Sequence, residues 1–192
     1  ANIYDACRAA GREDMVYLFA SMSKVTLAGG SISAMAMSPA NYAWVEQQLA
    51  IQTISYDKVN QLRHCRFFPD LAAVEAFMTK HGAILKPKFD LVLEMLDQEI
   101  APLGVASWHH PKGGYFISFN ALPGTAKRIV ALCKEAGVTL TGAGATYPYR
   151  QDPEDSNIRL APSFPPLDEL RLAMEVFCVA VKLATVEKLL ER

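Results

Sequence analysis

Three short stretches hold residue types that could do chemistry. In "FASMSKVTLAGGS", residues 19–31, an apolar run ends in two hydroxyls and a lysine, followed by glycines at 29 and 30. A lysine at the end of a strand sits on the sheet rim, where open α/β sheets bind ligands. Partial desolvation there lowers the amine's pKa, so Lys24 could form a Schiff base with an aldehyde. Ser21 and Ser23 could donate to a phosphate beside it, and the glycines would let backbone approach the ligand closely. By itself the tetrapeptide Ser21–Lys24 is short enough to arise by chance on an ordinary surface loop. Arg159, in "DSNIRLAPSF", is the second candidate. It could hold a carboxylate through two parallel hydrogen bonds, or form a structural ion pair with Asp155 or Glu154. The third is Gly113-Gly114-Tyr115, either a plain hairpin turn or a place where substrate lies against backbone. His109 and His110 adjoin it with no partner at motif spacing and read as loop residues. His64 and His81 lie in helical, charged surroundings and are expected to face solvent. No Ser/His/Asp or Cys/His nucleophile arrangement emerges.

Elements must bring these residues to their places. Residues 3–11 read as a short helix stopped by Gly11. Residues 15–20 form a continuous apolar run, typical of a strand covered on both faces. Residues 32–37 are a second strand, and Ser38-Pro39 opens a helix as N-cap and first helical position. Another helix covers 57–66. A long helical pattern starts at Pro69-Asp70, and Pro87 predicts a kink within it. Beyond Gly104 the texture changes to β-β-α-β-β-α: "VASW" and "GYFISF" around a "HHPKGG" hairpin, a helix from Pro123 to Gly137, short strands at "VTLT" and "NIRLAPSF", and a long terminal helix. The expected organisation is 1–68, 69–104 as a connecting helix, and 105–192 as a small α+β domain.

Composition narrows the class. The chain has 192 residues, is 51% hydrophobic and carries a net charge of −1, so it can bury a core and lacks the basic field of a nucleic-acid binder. Its four cysteines are far apart, with no C-x-x-C and no zinc-like Cys/His spacing, so no metal site is expected. Free thiols suggest a reducing, cytoplasmic setting. No apolar run approaches the ~18 residues of a membrane span.

Taken in order, the three stretches resemble the aminotransferases of the pyridoxal-phosphate fold-type I superfamily. "FASMSKVTLAGGS" looks like that family's lysine segment, "PKGGYFISF" its P-x-G-G-x-F segment, and "NIRLAPSF" its carboxylate-arginine strand. "IQTISYDKVNQLRHCRFF" and "LPGTAKRIVALCKEAGVTLTGAGATYPY" are similar to a bacterial subgroup provisionally assigned as aspartate aminotransferases and related to MocR-type proteins. The resemblance spans essentially the whole chain. It implies an α/β fold: the end of a large-domain sheet, a connecting helix and an α+β small domain. It also implies pyridoxal 5'-phosphate as cofactor, Lys24 as the Schiff-base lysine and proton shuttle, and Ser21 and Ser23 as phosphate ligands. Arg159 would bind the substrate α-carboxylate, and Lys58 would reach a dicarboxylate side chain across a homodimer. Amino acid and 2-oxo acid would be the substrates, with aspartate and 2-oxoglutarate favoured by the family label. One position departs from the pattern. Many relatives carry a phosphate-binding arginine seven residues after the lysine; here that position is Ser31, which can hydrogen-bond phosphate but cannot neutralise it.

In this family the lysine lies past the middle of the chain, whereas here it is residue 24. The resemblance therefore implies the carboxyl-terminal part of such an enzyme, with little or no transaminase activity by itself and with exposed strands prone to association. A β-eliminating lyase on the same cofactor, or the effector-sensing domain of a transcription regulator on the same fold, remains open at this stage.

Overall fold

A computed structural model describes residues 2–27 and 29–191. The chain divides into two compact units, 1–80 and 81–192.

The first unit opens with helix α1 (Ile3–Ala9), capped by the Asn2 side chain; Gly11 follows it in the left-handed region at φ 66°. Strands β1 (Tyr17–Ser21) and β2 (Ser33–Met37) pair antiparallel, with Ser21 opposite Ser33. In this chain β1 is not covered on both faces as its apolar run suggests, and it is exposed as expected of a carboxyl-terminal part. Met15 and Phe19 are each 73% exposed, because among the described residues β2 is its only sheet neighbour. Helix α2 (Pro39–Gln52) starts as its sequence predicts, with Ser38 Oγ accepting from the Asn41 amide at 3.3 Å. Helix α3 (Lys58–Phe67) is capped by Asp57, whose carboxylate accepts from the Asn60 amide at 2.9 Å. Apart from Val16, the buried non-glycine side chains of this unit are polar: Thr26, Ser38, Asn60 and His64. Hydrogen bonds therefore do much of the fastening that apolar packing does elsewhere.

Helix α4 (Leu71–Glu99) begins in the first unit and continues into the second. It stays helical through Pro87, which removes one backbone donor without ending the helix.

The second unit holds the apolar core. Strands β3 (Ser107–Trp108), β4 (Ile117–Asn120) and β5 (Asn157–Leu160) form an antiparallel sheet in that order. Helix α5 (Ala126–Glu135) and helix α6 (Leu167–Leu190) cover it. Phe119 stands edge-on to Phe177 at 5.1 Å and stacks on Trp108 at 5.9 Å. Two expectations are corrected. "VTLT" is not a strand: the Val138 amide turns back to the Cys133 carbonyl at 2.8 Å, closing α5 rather than joining the sheet. The unit therefore runs β-β-α-β-α. Helix α5 begins three residues after Pro123, because Gly124 is left-handed at φ 82° and the amides of Thr125 and Ala126 bond to the Asp155 carbonyl.

Candidate functional site

The β1–β2 connection is built around hydroxyls. The Met22 amide bonds the Ile32 carbonyl at 2.9 Å, extending the hairpin one pair past Ser21–Ser33. This brings residues 21–23 beside residue 31. Ser23 Oγ donates to Ser31 Oγ at 3.0 Å, and Ser31 Oγ donates to the Ile32 carbonyl at 3.1 Å. With the Ser23 proton so used, Ser21 Oγ is the donor in its 2.6 Å contact with Ser23 Oγ. Three of the predicted site residues thus form one hydrogen-bonded chain. Lys24 is the next residue along, exposed on the turn that follows Met22.

That turn is fastened from below. Val25 and Thr26 amides both reach the Met22 carbonyl, at 3.0 and 2.9 Å. Thr26 is buried, and its hydroxyl meets His64 Nε2 at 3.0 Å. His64 Nδ1 faces the Asn60 carbonyl at 3.0 Å. A carbonyl only accepts, so Nδ1 carries a ring proton, while Nε2 shares the Thr26 hydroxyl with the Met22 carbonyl, 3.2 Å from the same oxygen. The expectation that His64 faces solvent is therefore wrong: it is 5% exposed and ties α3 to the lysine turn. Asn60 adds a second tie, its Nδ2 donating to the Ser31 carbonyl at 3.0 Å. These residues escaped the sequence reading, although Asn60, Arg63 and His64 share one face of α3 at helical spacing. Lys58 is exposed at the first position of the same helix.

In the second unit, Arg159 lies on β5 opposite Ser118. Its guanidinium carbon is 4.4 Å from the centre of the Phe116 ring, a cation–π contact. Its Nε is buried with no hydrogen-bond partner, and among the described residues it has no ion pair with Asp155 or Glu154. Those residues serve the backbone instead, Asp155 at the start of α5 and Glu154 through its carbonyl to the Gly124 amide. The start of β5 is pinned by Asn157, whose Nδ2 donates to Ser118 Oγ and Asn120 Oδ1 while its Oδ1 accepts from Thr146. Asp152 accepts from the amides of Glu154, Ser156 and Asn157. Desolvation raises its pKa, but these backbone donors outweigh it and hold the carboxyl below its ordinary value. Gly114 is left-handed at φ 91°, as a turn glycine requires, and His110 approaches Asp97 at 3.7 Å.

A family profile described as aspartate amino-transferase matches residues 1–192. The chain belongs to the aspartate aminotransferase family. An aspartate aminotransferase of Corynebacterium glutamicum is 51% identical over 179 residues, covering 93% of this chain and 41% of that protein. The crystal structure of an aspartate transaminase from the same species superposes with a TM-score of 0.93 at 49% identity, over 98% of this chain and 44% of that one. The α-aminoadipate aminotransferase LysN of Thermus thermophilus, solved with N-(5'-phosphopyridoxyl)-L-leucine, shares the fold at a TM-score of 0.76 and 18% identity, over 96% of this chain and 46% of that one. The chain thus spans less than half the length of these members, and its fold is that of the carboxyl-terminal part of a fold-type I transferase. Among the described residues no helix is long and apolar enough to cross a membrane.

Proposed function

We propose that the full-length protein moves an amino group between an amino acid, with aspartate favoured, and a 2-oxo acid, using pyridoxal 5'-phosphate held at Lys24. The observation that carries this reading is the hydroxyl chain Ser21–Ser23–Ser31 beside Lys24, in a member of the aspartate aminotransferase family. The donor set fits the cofactor: three hydroxyls that can turn toward phosphate oxygens, and a primary amine for the aldehyde. When bound, the cofactor supplies the electron sink.

The chain's own residues do the rest. Each serine exchanges a hydroxyl–hydroxyl or hydroxyl–carbonyl bond for a stronger charge-assisted bond to the dianion. Lys24 Nζ would hold the cofactor through its aldehyde carbon. With cofactor and substrate bound, the same amine would be the group to carry the proton from the substrate α-carbon. Arg159, with Nε unsatisfied, binds the α-carboxylate. Lys58, reaching across a homodimer, takes the side-chain carboxylate of a dicarboxylic substrate.

Borohydride reduction of the cofactor-loaded full-length protein, followed by peptide mapping, is expected to label Lys24. Incubation with aspartate and 2-oxoglutarate is expected to yield glutamate. Label on another lysine overturns the site, and release of ammonia in place of glutamate overturns the reaction.

A further inference from the structure

The guanidinium of Arg63 lies beside the turn that carries Lys24, and the proposed reaction gives it no role. Its Nη1 turns back along α3 to the Asn60 amide oxygen, at 3.4 Å. A β-carbon placed on Gly30 would stand 3.2 Å from that same nitrogen and 3.4 Å from Asn60 Oδ1. Asn60 also holds the Ser31 carbonyl, so Arg63 is kept against residues 30 and 31, next to the hydroxyl chain. Among the described residues no carboxylate forms an ion pair with it.

Gly30 supplies an independent observation. Gly29 is left-handed at φ 73°, but Gly30 is not in that region, so its backbone conformation does not call for glycine. The space is tight: Gly30 is buried, and a side chain there would press on Arg63 and Asn60, which would have to give by a few tenths of an ångström. A planar fork of donors in no ion pair among the described residues, three hydroxyls and a close glycine backbone are groups that suit a multiply charged oxyanion.

We propose that Arg63 is the cation of the phosphate site, supplying from α3 the countercharge that Ser31 cannot. The inference rests on the reading of Ser21, Ser23 and Ser31 as phosphate ligands. Arg63 touches the phosphate end alone, so its removal weakens ligands that carry a phosphate and spares those that do not.

The test uses the cofactor-free full-length protein, titrated separately with pyridoxal 5'-phosphate and with pyridoxal, the same ring lacking phosphate. Arg63→Gln is expected to raise Kd for the phosphorylated ligand roughly tenfold to a hundredfold, the usual worth of a charge-assisted hydrogen bond. Its Kd for pyridoxal should stay at the wild-type value, and Arg63→Lys should recover part of the loss. Gly30→Ala keeps the arginine but crowds it, and is expected to reproduce the selective loss in milder form. Equal Kd values for wild type and Arg63→Gln overturn the inference, as does equal weakening of both ligands, which marks a structural role. Wild-type protein that binds neither ligand, or is labelled away from Lys24, fails the proposed function itself. Wild-type binding at Lys24 with no selective effect at Arg63 fails the present inference alone.

Discussion

Thr26→Val isolates the contact that fastens the lysine turn. Valine matches threonine in shape, and β-branching is kept, so the backbone is not newly strained. What is lost is the hydroxyl that meets His64 Nε2 at 3.0 Å and the Met22 carbonyl at 3.2 Å. The imidazole is 5% exposed, so solvent cannot fully replace the missing donor. An unsatisfied buried polar group costs about 1–3 kcal/mol, and each ~1.4 kcal/mol is a factor of ten in an opening equilibrium. Native-state hydrogen exchange reads this locally, through the Val25 and Thr26 amides that bond the Met22 carbonyl. In Thr26→Val those amides are expected to exchange roughly ten- to a hundredfold faster, while β4 and β5 keep their protection. The double variant Thr26→Val/His64→Leu removes both partners and should recover part of the loss, since apolar replacement of a whole pair is often near neutral. Unchanged exchange at Val25 and Thr26, or a double variant as costly as the two singles added, refutes the reasoning.

Arg159→Lys keeps the charge but loses the fork and Nε; KM for the amino acid is expected to rise about tenfold or more with kcat less affected, by steady-state kinetics. Asp152 has a folded pKa held below its unfolded value, so its contribution is present above the ordinary value of 3.8 and is lost as pH falls through the folded value. Acid titration of thermal stability should therefore fall less steeply below that pH in Asp152→Asn, which also starts less stable. Burial pushes the thiols of Cys133 and Cys178 up to about 11. A thiol reagent at pH 8 should modify exposed Cys65 in the native protein and reach Cys133 and Cys178 only on unfolding, as peptide mapping would reveal.

Residues whose local chemistry decides their place were readable in advance. Ser38-Pro39 announces α2 because the cap and the first helical position are satisfied within a few residues. Gly137 ends α5 for the same kind of reason, at φ 87°. "VTLT" failed because its strand propensity is real but no partner strand lies alongside it, and propensity without a ladder does not make a strand. β1 shows the other side of this: its apolar run is a strand as expected, while its burial depends on layers that the run itself cannot specify. His64 was misread because a polar residue on a charged helix ordinarily faces water. Only the fold shows that Thr26, thirty-eight residues earlier, stands opposite it.

That separation bears on how the site is assembled. Lys24, Ser21 and Ser23 are close in sequence, so their grouping is legible as a motif. Adjacency does not hold a turn still, because the hairpin fixes residues as far as 22 and 32 but leaves the loop between them to find support elsewhere. α3 provides that support at three points on one face. Asn60 takes the Ser31 carbonyl, His64 takes the Thr26 hydroxyl, and Arg63 lies against Gly30. A loop held at three points along a helix loses much of its freedom before a ligand arrives, which lowers the ordering cost of binding. The helix contributes no residue to the lysine motif, yet through Asn60 it holds the backbone of Ser31, the last of the three hydroxyl residues. If those hydroxyls hold phosphate as proposed, weakening α3 should scatter them before it touches the amine, and loss of affinity for phosphate-bearing ligands should precede loss of lysine reactivity in any graded series of α3 variants.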